Sequence, residues 1–246
     1  MNIYFIDTLE LTYSSDFDDI IKLTKNFKMV DPKKGAGNKE FISTELSDMG
    51  IIIKTRRSSK AELYKNSSKY KLVLRINPNK FYKPYMKTEH ISNIIEFCDM
   101  VERLDMQIQY CFSGLTIDDF EITRVDLTED IHGIPEDKIT QYIRIMRQLY
   151  LTLGFHHNKK LEENTEGFDP DSSFNAVNDS KNVEFVVYNK GHEVRNKKNS
   201  SDEQKEHYKD TMRVEVRCRK KFADKLSEKA YTAQKLVEIY RRRMEV

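Results

Sequence analysis

Several large functional classes are excluded by what this chain does not contain. No stretch approaches eighteen consecutive apolar residues, the length a helix needs to cross a bilayer. The opening MNIYFIDTLEL carries Asp7 and Glu10 where a secretory leader has basic residues and a cleavage site. These absences predict a cytoplasmic protein with no membrane partner. Nothing matches a Walker loop, a dinucleotide-binding glycine motif or the nucleophile elbow of serine hydrolases. Cysteine is scarce: Cys98, Cys111 and Cys218 are odd in number and lack metal-ligand spacing, so they read as small core residues in a reducing compartment. Charge of one sign is lacking too, with 42 Lys and Arg against 40 Asp and Glu and a net charge of +2. Bulk charge therefore does not argue for a polyanionic partner. Abundant Lys, Asn, Ile and Tyr is also what A/T-rich coding produces, so only the local distribution of charge is informative.

What is present is enough for a core: 246 residues, 38% of them hydrophobic. The chain reads as one compact domain over 1–246, with an N-terminal half to about 112 and a second half from about 113. Residues 3–13 read as a strand, with Ser14 and Ser15 starting a helix that ends in a polar stretch around Pro32, Gly35 and Gly37. Strands follow at about 49–57 and 69–77, joined by a Ser- and Lys-rich hairpin. A helix over about 89–106 has Ile91, Ile94, Ile95, Cys98, Val101 and Leu104 as its stripe, and another opening at Pro135 has Ile139, Ile143, Met146 and Leu149. Strands at 122–131, 173–178, 183–190 and 212–222, a hydrophilic mobile loop over 191–210 and a last helix through Tyr240 complete the order. The fold class is α+β, antiparallel sheets covered by helices, with two pseudo-repeated β-α-β-β-α halves.

Two strands have a shared grammar. In ITRVDLTEDI, Arg124, Asp126, Thr128 and Asp130 alternate with apolar residues; in MRVEVRCRKKF, Arg213, Glu215, Arg217 and Arg219 do the same. Alternate side chains of a strand share a face. Val125, Leu127 and Ile131 then point into a core, and the ionisable row lies on the other face. If the strands belong to one sheet, Asp126 and Glu215 approach each other between arginines, a place for a metal ion and a phosphate. The competing explanation is a solvated outer face laced with ion pairs, which contribute little.

The third element is Tyr188 in VVYNKG, at a strand end two residues before Lys190. A phenol has an unperturbed pKa near 10; it attacks a phosphodiester when a cation favours the phenolate and a metal polarises the phosphate. Lys190, Asp126 and Glu215 would supply those parts. Without them, Tyr188 is a packed ring with its hydroxyl at the surface. A carboxylate site favours a hard ion, Mg2+ or Mn2+, over zinc. Between Lys181 and Lys221 there are twelve Lys and Arg against seven Asp and Glu, and Lys197, Lys198, Arg217, Arg219, Lys220 and Lys221 are the expected contacts to a nucleic-acid backbone.

In order and spacing, Arg124-Val125-Asp126, Tyr188-Asn189-Lys190 and Arg213-Val214-Glu215 resemble the rolling-circle replication initiators and related relaxases of plasmids, phages and integrative elements, of the Rep_trans or replication-initiation-factor type. The second half of the chain carries the resemblance; the first half shares only its architecture. It implies a metal-dependent DNA endonuclease and strand transferase that nicks one strand through a covalent phosphotyrosyl intermediate, conserving the bond for rejoining. Its partner would be DNA at an origin-like site, single-stranded or hairpin, contacted also by Arg124 and Arg213. Two departures stand out. Val186 occupies the position two before the tyrosine where arginine is often expected, and the His-hydrophobic-His motif of the wider superfamily is absent. His156 and His157 are adjacent, would face opposite ways in a strand, and read as loop histidines. Tyr208, Tyr231 and Tyr240 are alternative nucleophiles. A non-catalytic DNA-binding module, with Asp126 and Glu215 as partners of Arg124 and Arg213, and a protein-interaction domain remain as rival readings. The oligomeric state is left open, a dimer included.

Overall fold

A computed structural model describes residues 3–30, 39–57, 70–86, 88–149, 154–157 and 172–242. In chain order the elements are β1 (Ile3–Ser15), α1 (Phe17–Leu23), β2 (Lys28–Val30), β3 (Lys39–Ile42), α2 (Thr44–Asp48), β4 (Ile51–Arg57), β5 (Tyr70–Ile76), α3 (Pro78–Tyr82), α4 (Ile94–Cys111), a short 3-10 turn (Ile117–Asp119) and β6 (Glu121–His132). The chain continues through α5 (Glu136–Leu149), β7 (Phe155–His157), β8 (Ser173–Asn178), β9 (Val183–Asn189), α6 (Lys190–Asn196), α7 (Asp202–His207), β10 (Thr211–Arg219), α8 (Lys220–Leu226) and α9 (Thr232–Arg242). This is the expected α+β architecture with antiparallel pairing. The polar stretch around Pro32, Gly35 and Gly37 and the hairpin expected between β4 and β5 lie outside the described residues. Among the described residues, no helix is long and apolar enough to cross a membrane.

The chain divides into two compact units, Ile6–Val125 with Ala223–Val246, and Met1–Phe5 with Asp126–Phe222. The division therefore falls inside β1, β6 and α8. In the first unit the strands run β2-β3-β4-β5-β1-β6, with β1 and β5 in register from Leu9↔Ile76 to Ser15↔Tyr70. Ser14 and Ser15 thus remain in the strand, and Asp16 stands at the N-cap position of α1 without a side-chain capping bond. Helix α4 begins at Ile94 because the Asn93 side chain accepts the Glu96 amide, satisfying a first-turn donor. Its buried stripe is Phe97, Met100, Val101, Leu104 and Ile108; Ile95, expected to be buried, faces solvent. The 3.6-residue period through Val101 and Leu104 passes through Phe97 and misses Ile95. Tyr240 of α9 stacks on Phe97 with ring centroids 4.1 Å apart and donates to the Ile91 carbonyl at 3.1 Å. The single last helix expected from the sequence is in fact α8 and α9, separated by a turn in which Ser227 bonds Glu238 and receives the Lys229 amide.

In the second unit the order is β6-β10-β9-β8-β7. Alternation sends Val187, Met212, Phe174 and Ala176 to one face, where they bury Ile139 and Ile143 of α5, with Ile131, Met146, Phe185 and Val214 around them. Burying each of those two isoleucines contributes about 1.5–3 kcal/mol. Leu149, expected in the same stripe, is exposed. On the opposite face the pairs Arg213↔Tyr188, Glu215↔Val186 and Arg217↔Glu184 line up, continued into β8 by Ser173↔Tyr188 and Asn175↔Val186. The hydrophilic 191–210 segment, expected to be a mobile loop, forms α6 and α7. Side chains of Asn189 and Ser201 cap them, so polarity there serves capping.

Candidate active site

The ionisable row of β6 is covered too. Asp126 is 1% exposed and Asp130 0%, with Thr128 buried between them, while Leu127 is only half-buried. The alternation holds, and Val125 is buried and Ile131 packs against the α5 core as expected; what differs is that the ionisable side is covered as well. Asp130 receives two hydrogen bonds from Arg213, at 2.6 and 2.7 Å. Arg213 stacks over Phe5 at 5.1 Å and Tyr208 at 5.7 Å. It is 3% exposed, so the assignment of Arg213 to DNA contact is corrected: its fork is spent inside the unit.

Arg217 links three strands of this face. It donates to Glu215 Oε2 at 3.0 and 3.2 Å, stands 3.9 Å from Asp126 and 3.5 Å from Glu184. Arg219 approaches Glu184 at 3.7 Å, and Asn175 donates to Glu184 at 2.7 Å. Asp126 and Glu215 are thus neighbours on one face through Arg217. Their buried carboxylates are balanced by guanidinium groups, without which such burial would be costly.

Tyr188 projects onto this face from β9, half-buried, and its hydroxyl donates to Glu215 Oε1 at 2.7 Å. Val186 lies directly across from Glu215, so the guanidinium beside this carboxylate comes from β10. Lys190, the first residue of α6, is buried and paired with Glu193. Its ammonium lies 5.7 Å from the Tyr188 ring centroid and 5.4 Å from that of Tyr208. Burial, and then the positive charge of Arg213, lower the Lys190 pKa, while Glu193 opposes that shift. Burial acts to raise the Glu193 carboxyl, but the charge and hydrogen bond of Lys190, with Lys197, hold it down at about 2. Gly191 is required next to it: a Cβ there would stand 2.8 Å from the Tyr208 carbonyl.

Of the other tyrosines, Tyr208 and Tyr240 are buried and Tyr231, in the other unit, is 59% exposed. Arg124 is half-buried and belongs to that other unit, just before the division. Lys197, Lys198, Arg219, Lys220 and Lys221 are exposed. They do not form one patch in sequence order: Lys197 and Lys198 follow the helix that starts beside Met212, whereas Arg219 bonds Asn182 at the other end of the β9–β10 pair. His156 stands in β7 and meets Asp179, correcting its reading as a loop residue; His157 is also in β7. Cys218 is buried, and burial followed by the Asp126 charge pushes its thiol up to about 12, so it is inert. Cys98 and Cys111 are only partly buried.

For a divalent ion, the oxygen donors on this face are Asp126, Glu215 and the Thr128 hydroxyl, which is buried without a hydrogen-bond partner among the described residues. Among the described residues, no three His, Cys, Asp or Glu gather as a metal-holding group. The set still fits Mg2+ or Mn2+, which take one or two carboxylates and complete their shell with water and substrate phosphate. Glu184, Asn175 and Glu193 are absent from the residues the sequence singled out. The period of two applied to VEFVVYN places Glu184 on the Tyr188 face and was available as a signal; no local pattern announces Asn175 or Glu193.

Residues 6–238 match the Phage_CRI family, described as the N-terminal part of a replication-associated protein. None of the curated proteins compared with the chain matches. Among solved structures, a rolling circle replication initiator protein from Geobacillus stearothermophilus aligns with 97% of this chain and 80% of its own, at 12% identity and a TM-score of 0.42.

Proposed function

This chain belongs to the Phage_CRI family of replication-associated proteins, and from that premise we propose that it initiates rolling-circle replication by nicking one DNA strand with Tyr188. The observation that carries the proposal is the Tyr188 hydroxyl, bonded at 2.7 Å to a buried carboxylate on a face rich in arginine. Attack of Tyr188 Oη on phosphorus forms a phosphotyrosyl bond and releases a deoxyribose hydroxyl. Phosphodiester character is retained in the link, so the nick can be rejoined without an external energy source. Lys190, held 5.7 Å from the ring, favours the phenolate electrostatically. Asp126 and its neighbours would hold a Mg2+ or Mn2+ ion, which would supply charge neutralisation at the phosphate. Exposed Lys198, Arg219 and Lys221 hold the strand by its phosphates.

The test is incubation with single-stranded or supercoiled DNA carrying the origin of the parent element plus Mn2+, followed by denaturing electrophoresis. A DNA-linked protein band whose peptide map ends on Tyr188 is the expected result. Absence of any adduct under either metal, with DNA binding intact, would instead favour a non-catalytic binding module, for which the Arg213–Asp130 pair is already a structural partnership.

A further inference from the structure

Among the described residues Lys190 is the one lysine that is buried, at 8% exposure. Its ammonium lies 5.7 Å from the Tyr188 ring centroid on β9 and 5.4 Å from that of Tyr208, which follows α7. The surroundings oppose its charge. Burial strips the ammonium of water, Arg213 of β10 stands over the same Tyr208 ring at 5.7 Å, and Lys197 of α6 adds a further positive charge. Arg213 is itself paired with Asp130. The carboxylate that answers these influences is Glu193, three residues along α6 and so on the same helix face. Its Oε2 accepts from the Lys190 ammonium, and its Oε1 accepts from Lys197 at 2.8 Å. With both oxygens held, the carboxylate has a fixed orientation. A lysine ammonium rides on a flexible four-carbon stem and gives up its proton readily when buried. A bonded carboxylate opposes both the swing of the stem and the loss of the proton.

We propose that Glu193 is a positioning residue for strand nicking, which holds the Lys190 ammonium, charged, beside the Tyr188 ring. This rests on Tyr188 being the nucleophile. Glu193 acts only through Lys190. A phenol ordinarily ionises near pH 10, and a neutral amine next to the ring would not favour the phenolate. Lys190 must therefore keep its proton over the range in which Tyr188 begins to lose its own. Burial, Arg213 and Lys197 lower the Lys190 pKa, whereas Glu193 raises it. Without the carboxylate only the lowering influences remain, so Lys190 loses its proton at lower pH. The rate of adduct formation then falls off earlier as pH rises.

Glu193→Gln tests this, because the amide keeps the shape of the side chain and removes its charge. Adduct formation on a single-stranded origin oligonucleotide, followed across pH, should keep its acid limb while its alkaline limb moves to lower pH by about one unit or more. A second readout needs no DNA: in protein labelled with ¹³C-lysine, the Lys190 Cε resonance, assigned with Lys190→Arg, should titrate at lower pH in the variant than in wild type. An unmoved resonance would make Glu193 a structural partner only and overturn the proposal. A moved resonance with an unchanged rate profile would overturn it too, since the charge of Lys190 would then be irrelevant to nicking. Should Glu193→Gln fail to fold, Lys190→Arg serves, because a guanidinium stays charged at every pH used. That variant should lose the alkaline limb, and a limb placed as in wild type would overturn the proposal. Failure of the underlying reading looks different: an adduct that persists in Tyr188→Phe and maps to another tyrosine.

Discussion

Arg213 and Asp130 meet where solvent reaches neither, with side-chain exposures of 4% and 0%. Removing one partner leaves a buried charge uncompensated, so Asp130→Asn should cost about 3–5 kcal/mol, read as a lowered denaturant midpoint. Surface pairs such as Lys22–Asp19 should give changes within about 1 kcal/mol when broken. Tyr188→Phe is a milder change, because the ring stays while the hydroxyl's bond to Glu215 is lost. It should lower stability by about 1–3 kcal/mol while abolishing the covalent adduct completely. Retention of the adduct in this variant would remove Tyr188 from its role.

At the scale of the element, α6 is the piece that brings Lys190 to the tyrosine ring, and its fit depends on Gly191. Gly191→Ala puts a methyl 2.8 Å from the Tyr208 carbonyl, and a backbone oxygen cannot swing aside as a side-chain end can. A loss of about 1–3 kcal/mol is expected in thermal or chemical melts. The same helix carries a pH signature. Glu193 is held at about 2 in the fold against an ordinary 4.5, so its contribution is fully present above the ordinary value and fades as pH falls through the folded one. Stability should therefore decline between about pH 4.5 and pH 2, and Glu193→Gln should flatten that part of the curve. A wild-type curve no steeper than that of the variant would show that Glu193 adds nothing.

For the whole molecule, a net charge of +2 hides positive side chains that reach solvent at both ends of the β9–β10 pair. If these hold phosphates, binding weakens as salt rises, and each lost contact lowers the slope of log affinity against log salt by about 1. Lys198→Ala and Lys221→Ala, both at exposed positions, should each do so on any DNA sequence, as measured by fluorescence anisotropy at several salt concentrations. An unchanged slope would make these lysines a solvated surface and nothing more. Arg217 is a poorer choice for this measurement, because its guanidinium is already occupied by carboxylates on three strands.

The residues of ITRVDLTEDI and MRVEVRCRK determined by themselves that both stretches would be strands and which side chains would share a face, because extended backbone imposes a period of two regardless of its surroundings. The Ile139, Ile143 and Met146 stripe and the caps at Asn93, Asn189 and Ser201 are local in the same sense, although Ser14, Leu149 and Ile95 show how easily one apolar or hydroxyl residue is assigned to the wrong place. Tertiary structure alone decided that the charged face would be covered as well as the apolar one. Alternation is symmetric between the two sides of a sheet, and α5 could sit on only one of them. The other side then buried the charges of Asp126, Asp130 and Glu215 together. Their partners come from far along the chain, Arg213 from 83 residues beyond Asp130 and Tyr188 from 27 before Glu215. No local pattern encodes such a pairing, because it depends on strand order and register, which the packing of the entire unit fixes.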